Sequence, residues 1–239
     1  FLCLDRDQPQ SAEALSSRII EVLGRPYVIQ GRTISISTSI GIAVAEGAGG
    51  DADALLKQAD LALYQSKSMG RGTFCIFTPE MDERLRERIA LEADLRRAIA
   101  EEQFELAYQP IYNLESEQLC GFEALVRWQH PQRGVVGPGD FIPLAEETRL
   151  IVEIGAWVLR RACRVSVQLP GSPRIAVNLS PVQLAFGDTV ATVEDILRET
   201  GLDPARLELE ITETALFDDD NRTLAALRSL KKLGVRIVL

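Results

Sequence analysis

From residue 104 onward, apolar strand-like runs alternate with helix-like runs, and this alternation restricts the fold more than any other feature. Runs 104–111 and 119–128 flank a turn with Asn-Leu-Glu-Ser and read as a hairpin. Helical patterns follow at 139–147 and 150–167, a strand at 174–179, helices at 181–186 and 189–199, a strand at 206–211, a helix at 221–233 and a strand at 235–239. Apolar strands separated by helices predict a parallel sheet covered by helices, closed towards a TIM-like barrel. Such barrels take about 250 residues. Residues 104–239 are fewer, so the spacing predicts a partial barrel.

Three of these strands carry a polar oxygen donor at or near the C-terminal end. The first apolar parallel strand holds Glu123, Ile175-Ala176-Val177 delivers Asn178, and Leu207-Glu208-Leu209 delivers Glu210. In a parallel barrel these positions converge on one rim. Two carboxylates and an amide oxygen there suit a hard divalent cation, Mg2+ or Mn2+. A buried carboxylate in a strand needs a donor or cation beside it. Arg127, four residues after Glu123, emerges on the same strand face. A structural Glu123–Arg127 ion pair and a ligand-facing arginine both fit that spacing.

The first part of the chain has a βαββαβ-like order, consistent with an α/β sandwich. A helical pattern spans 10–23, and a hairpin runs from 27–29 through Gln30-Gly31 to 33–44. In its second arm Ile34, Ile36, Thr38, Ile40 and Ile42 face one way, and the alternate side is small enough for a helix to pack closely. A Gly/Ala-rich loop at 46–50 precedes a helix over 53–69, and 73–77 forms a strand. Lys67 and Arg71 sit four apart at the helix end, where they either face a ligand or complement the helix dipole. Thr78-Pro79-Glu80 is a helix start, and the charged helix running to about Glu101 reads as a connector. The predicted domains are therefore 1–78, a connector at 79–102, and 103–239.

Charge narrows the partners. The 26 Lys and Arg against 35 Asp and Glu leave a net charge of −9, which argues against a nucleic-acid polymer. Cys3, Cys75, Cys120 and Cys163 lack metal-ligand or redox spacing and read as buried, reduced core residues of a cytoplasmic protein. The most apolar helical stretch is too short and too charged for a membrane span. The strand-like start Phe1-Leu2-Cys3-Leu4 points to a slice of a longer protein, whose other segments could anchor it to a membrane.

Glu123-Ala124-Leu125-Val126-Arg127-Trp128 follows Tyr108-Gln109-Pro110-Ile111 and precedes Asp140-Phe141-Ile142-Pro143-Leu144-Ala145-Glu146. This ordered set resembles the EAL domain of bacterial cyclic-di-GMP signalling proteins. Ser39-Ile40-Gly41-Ile42-Ala43 and the run from Ala59 to Gly72 resemble the C-terminal half of a GGDEF domain, the diguanylate cyclase module. By position Phe1 would close the signature that names that module. The whole resembles a GGDEF–EAL tandem: a partial α/β sandwich joined by a helix to a partial TIM-like β/α barrel.

The resemblance implies a phosphodiesterase that hydrolyses cyclic-di-GMP to linear pGpG with two divalent metals. It implies Glu123, Asn178 and Glu210 as metal ligands, with Glu123 catalytic, Arg127 on the substrate phosphate and Gln109 in the pocket. It implies Lys67 and Arg71 as contacts to GTP in the first half, and a homodimer. The family's aspartate pair would fall just after the strand at 235–239. A non-catalytic cyclic-di-GMP receptor and net cyclase activity are the alternatives. His130, in the loop after its strand, reads as structural, and Glu213 as a capping or supporting group.

Overall fold

A computed structural model describes residues 7–45, 51–212 and 221–239. The chain divides into two compact units, Phe1–Ala90 and Leu91–Leu239. The stretches at 1–6 and 46–50, with Cys3 and the Gly/Ala-rich loop, lie outside the described residues, as does Glu213.

In the first unit helix α1 (Gln10–Leu23) leads into an antiparallel ribbon of β1 (Tyr27–Ile29) and β2 (Arg32–Ile34). Gln30 and Gly31 both take positive φ, 50° and 76°, the geometry of a two-residue hairpin turn. The expected long second arm divides here. Residues 35–39 form no strand, and β3 (Ile40–Ile42) pairs in parallel with β4 (Phe74–Ile76) in another sheet. Period-two alternation runs through the whole arm, but the ladder partner changes along it, and a single-strand pattern does not encode the partner.

Helix α2 (Ala52–Ser68) connects β3 to β4, capped by the Asp51 carboxylate on the Asp53 amide. A Cβ on Gly41 would fall 2.0 Å from the Ala59 carbonyl oxygen and 2.3 Å from the Leu63 nitrogen. The helix backbone therefore lies directly on β3, as its small face predicts. Helix α3 (Pro79–Ala100) follows, and the division between the units falls inside it. Its charges form i,i+4 pairs such as Arg96–Glu92 at 2.7 Å, while Leu95 and Ala98 are fully buried.

The second unit is a sheet in the order β10-β9-β8-β6-β5. Strand β5 (Phe104–Tyr112) runs antiparallel to β6 (Leu119–His130), and β8 (Arg174–Asn178), β9 (Leu207–Glu210) and β10 (Arg236–Val238) follow in parallel. Strand β6 extends past Trp128, and an unforeseen β7 (Gly134–Val136) folds back on its end, pairing Trp128 with Val136. His130 is thus the last residue of β6 rather than a loop residue. An unforeseen 3-10 turn, Pro204–Arg206, precedes β9, and its arginine donates to the Ser166 and Pro173 carbonyls.

Helices α4 (Pro138–Glu147), α5 (Ile151–Gln168), α6 (Pro181–Phe186), α7 (Thr189–Thr200) and α8 (Asn221–Lys232) join the strands. Helix α5 buries Ile151, Ile154, Gly155, Val158, Leu159, Ala162 and Cys163, a stripe at three- and four-residue spacing. Strands β8 and β9 send Ile175, Val177, Leu207 and Leu209 into the same core. Phe104, Trp128 and Phe141 close it, with ring centroids 5.8–6.2 Å apart. This is the α/β, barrel-like arrangement that the strand–helix alternation predicts. Of the described cysteines only Cys163 is fully buried, its thiol pushed up to about 12 by desolvation. Cys75 and Cys120 are partly exposed, contrary to the expectation of a uniformly buried set.

Candidate functional site

Alternation in β6 turns Phe122, Ala124, Val126 and Trp128 to the core, so Glu123, Leu125, Arg127 and Gln129 share the other face. The same rule puts Ala176 and Asn178 of β8, and Glu208 and Glu210 of β9, on that open face. Register then brings them together. Glu123 lies beside Ala176, two residues short of Asn178, and Asn178 lies beside Glu210. The Asn178 Nδ2 donates to Glu123 Oε1 at 2.8 Å.

The Glu123 carboxylate thus finds its donor in an amide on the next strand. Arg127 makes no ion pair with Glu123 among the described residues; its Nη1 donates to the Val126 carbonyl at 2.9 Å. The structural ion pair that their spacing allows is not formed. Gln109 of β5 stands directly opposite Glu123 in the antiparallel ladder. Glu105 stands opposite Arg127 but accepts from Gln129 Nε2 at 3.0 Å.

The Glu210 carboxyl holds its proton more tightly than an ordinary glutamate. Burial is the main cause, followed by the negative charges of Glu123 and Glu208. Net negative potential at partly buried strand ends is what a hard cation relieves. Among the described residues no three His, Cys, Asp or Glu side chains stand together as a metal cluster. A cation placed here would have two carboxylates and the Asn178 amide oxygen as its available donors. That all-oxygen set fits Mg2+ or Mn2+ better than a thiolate- or imidazole-seeking metal. Towards the other end of the same face, Arg174 and Glu208 form an ion pair at 3.1 Å.

The remaining expected residues lie elsewhere. In the first unit Lys67 is in the last turn of α2, but Arg71 is not helical. It follows Met69 and Gly70, with φ of 63°. The spacing of four therefore does not put the two on one helix face. His130 is buried at 5% exposure, with Nε2 3.1 Å from Asp94 Oδ2. Its Nδ1 accepts from the backbone amides of Gln132 and Arg133, so Nε2 carries the proton. With both ring nitrogens engaged, His130 is a structural residue.

One group near the site escaped sequence reasoning. Ser180, two residues after Asn178, donates its hydroxyl to Glu146 Oε1 at 2.7 Å and caps α6 in a capping box with Gln183. The signal was readable as Ser180-Pro181-Val182-Gln183, a Ser followed three residues later by Gln. Its link to Glu146 was not, because the two lie on separate elements.

Comparison with known proteins gives two family matches. The EAL domain model matches residues 92–239, and the diguanylate cyclase GGDEF domain model matches residues 2–73. A signaling protein of Caulobacter vibrioides is 48% identical over 98% of this chain and 29% of its own length. The bifunctional diguanylate cyclase/cyclic di-GMP phosphodiesterase MucR of Pseudomonas aeruginosa is 39% identical over 99% of this chain and 35% of its own. The chain thus spans about a third of the length of these curated relatives. A solved structure of the PaMucR phosphodiesterase in complex with c-di-GMP matches with 43% identity and a TM-score of 0.58, covering 62% of each chain. Among the described residues no helix is long and apolar enough to cross a membrane.

Proposed function

The chain belongs to the EAL domain family, and from that membership and the strand-end geometry we propose that the whole protein is a divalent-cation-dependent cyclic-di-GMP phosphodiesterase. The product is linear pGpG. The observation that carries this reading is the register of β6, β8 and β9, with Glu123, Asn178 and Glu210 on adjacent strand ends and the amide of Asn178 on Glu123. The PaMucR phosphodiesterase, with its c-di-GMP complex, supports the substrate.

In this reading Glu123, Asn178 and Glu210 hold Mg2+ or Mn2+. When bound, the cations polarise the phosphoryl group and acidify the attacking water. The chain's own residues do the rest. Glu123 and Glu210 supply the negative charge that fixes the cations. Asn178 presents its Nδ2 to Glu123 in this structure, so liganding through Oδ1 needs the amide to turn. Arg127, on the same strand face as Glu123, offers a planar cation to a non-bridging phosphate oxygen. Gln109, opposite Glu123, lines the wall against the base or sugar. In the GGDEF half, Lys67 and Arg71 are the candidate contacts to GTP phosphates.

Hydrolysis of cyclic-di-GMP by the whole protein, measured with Mn2+, with Mg2+ and in excess chelator, tests the reading. Turnover should vanish with chelator and return on adding either cation. Turnover that persists in chelator would overturn it. Tight nucleotide binding without turnover at saturating Mn2+ would replace the enzyme with a receptor.

A further inference from the structure

The turn after β8 is held from three directions. Glu146, near the end of α4, accepts the Ser180 hydroxyl at 2.7 Å. With its proton committed to that carboxylate, the Ser180 Oγ lone pairs are free to accept the Val182 amide at 3.1 Å. Gln183 returns its side-chain oxygen to the Ser180 amide at 3.1 Å. Gln183 is itself clamped. A Cβ on Gly155 of α5 would lie 2.0 Å from its Nε2, so only glycine leaves room for that side chain. On the sheet side the Leu179 amide donates to the Glu210 carbonyl at 2.8 Å. Asn178, exposed at the strand end, is held by its ladder pairing with Glu210, by this turn and by one side-chain bond to Glu123.

We propose that Glu146 is a positioning residue that, through Ser180, fixes the turn after β8 and so holds Asn178 between Glu123 and Glu210, where its amide can turn Oδ1 to a cation. The Glu146 carboxylate accepts the Ser180 hydroxyl at 2.7 Å. A charge-assisted O–H bond is among the stronger and more directional contacts available to a loop. Groups that orient a ligand residue through a second bond set metal affinity nearly as firmly as the ligands themselves. The inference rests on the proposed cation site, and the test separates the two.

The experiment titrates Mn2+ into the whole protein and its variants, with turnover and thermal melting measured on the same preparations. Glu146→Ala and Ser180→Ala should each weaken Mn2+ binding by about tenfold, the lower end of such effects. The double variant should be no worse than the weaker single, because both act through one bond. Glu146→Gln keeps an acceptor for the Ser180 hydroxyl and should restore binding to within about twofold of the native protein. Native Mn2+ affinity in Glu146→Ala, or additive losses in the double variant, would overturn the proposal. Ser180→Ala carries the test if Glu146→Ala does not fold. A crystal structure of Glu146→Ala decides the point independently of metal chemistry. Asn178 displaced from Glu123 sustains it, and Asn178 unmoved defeats it. If Glu123→Gln leaves Mn2+ binding intact, the cation site falls while that crystallographic result still stands.

Discussion

The two faces of the β6–β8–β9 sheet are built from alternate residues of the same strands, yet they solve opposite problems. The packed face presents Ala124, Trp128, Ile175, Val177, Leu207 and Leu209, each no more than 4% exposed. Its one polar member, His130, has both ring nitrogens engaged by fixed partners. The open face presents Glu123, Arg127, Asn178, Glu208 and Glu210, where burial and then the charges of Glu123 and Glu208 push the Glu210 carboxyl above its ordinary value. One face is apolar and sealed; the other gathers carboxylates and an amide towards the C-terminal ends of the strands.

The sharpest way to break this contrast is to damage each face in turn. Trp128→Ala removes a fully buried ring that contacts Phe104, Phe141 and His130. It should cost about 3–5 kcal/mol of stability. Chemical denaturation measures this, and activity per folded molecule should be unaffected. Glu123→Gln should do the reverse. The amide keeps the shape but removes half the carboxylate charge of the site, and turnover should fall by about a hundredfold or more. The melting temperature should stay close to native, because a partly buried charge is replaced by a neutral group of similar size. Loss of folding in Glu123→Gln, or of activity per folded molecule in Trp128→Ala, would show that the faces are not separable.

Much of this division was legible in the sequence. Alternation in residues 119–128 assigns Glu123 and Arg127 to one face, and the runs ending at Asn178 and Glu210 have the same form. Register was not legible. That Glu123 bonds Asn178, rather than Arg127 on its own strand, depends on a pairing offset that no single strand encodes. For the same reason the arm at 33–44 divided between two sheets, and β7 went unseen: each was decided by a partner strand. Arg71 was misplaced because Gly70, at φ of 105°, ended the helix before the assumed fourth position. The Glu146–Ser180 bond joins elements 34 positions apart, beyond any local pattern.

A smaller effect tests how well the packed face is sealed. Asp94→Ala removes the acceptor of His130 Nε2 and leaves a buried donor unmet, at a cost of about 1–3 kcal/mol. The pH dependence gives this a signature. The His130 hydrogen bond, and then the Arg97 guanidinium, hold the Asp94 carboxyl below its ordinary value of 3.8. The native state therefore binds that proton less readily than the unfolded chain. The contribution is complete above 3.8 and is lost as pH falls through the depressed folded value. Melting curves of native protein and Asp94→Ala should converge as pH drops below about 4. A gap that stays constant down to pH 2 would locate the cost in packing rather than in the charged bond.

The smallest expected effect is the most discriminating, because it lies on the open face but away from the proposed ligands. Glu208 occupies the same face of β9 as Glu210, two residues earlier, and is paired with Arg174 at 3.1 Å. Its side chain is 15% exposed and that of Arg174 is 37% exposed, so solvent screens the pair. Glu208→Gln keeps an acceptor for the arginine and should change stability by no more than about 1 kcal/mol. Turnover should stay within about threefold of native, as expected for a screened charge that is not a ligand. If hydrolysis instead collapses as in Glu123→Gln, with folding intact, charge along the full depth of the face acts as one unit. The contrast would then separate two whole faces, and not one sealed face from a site confined to the strand ends.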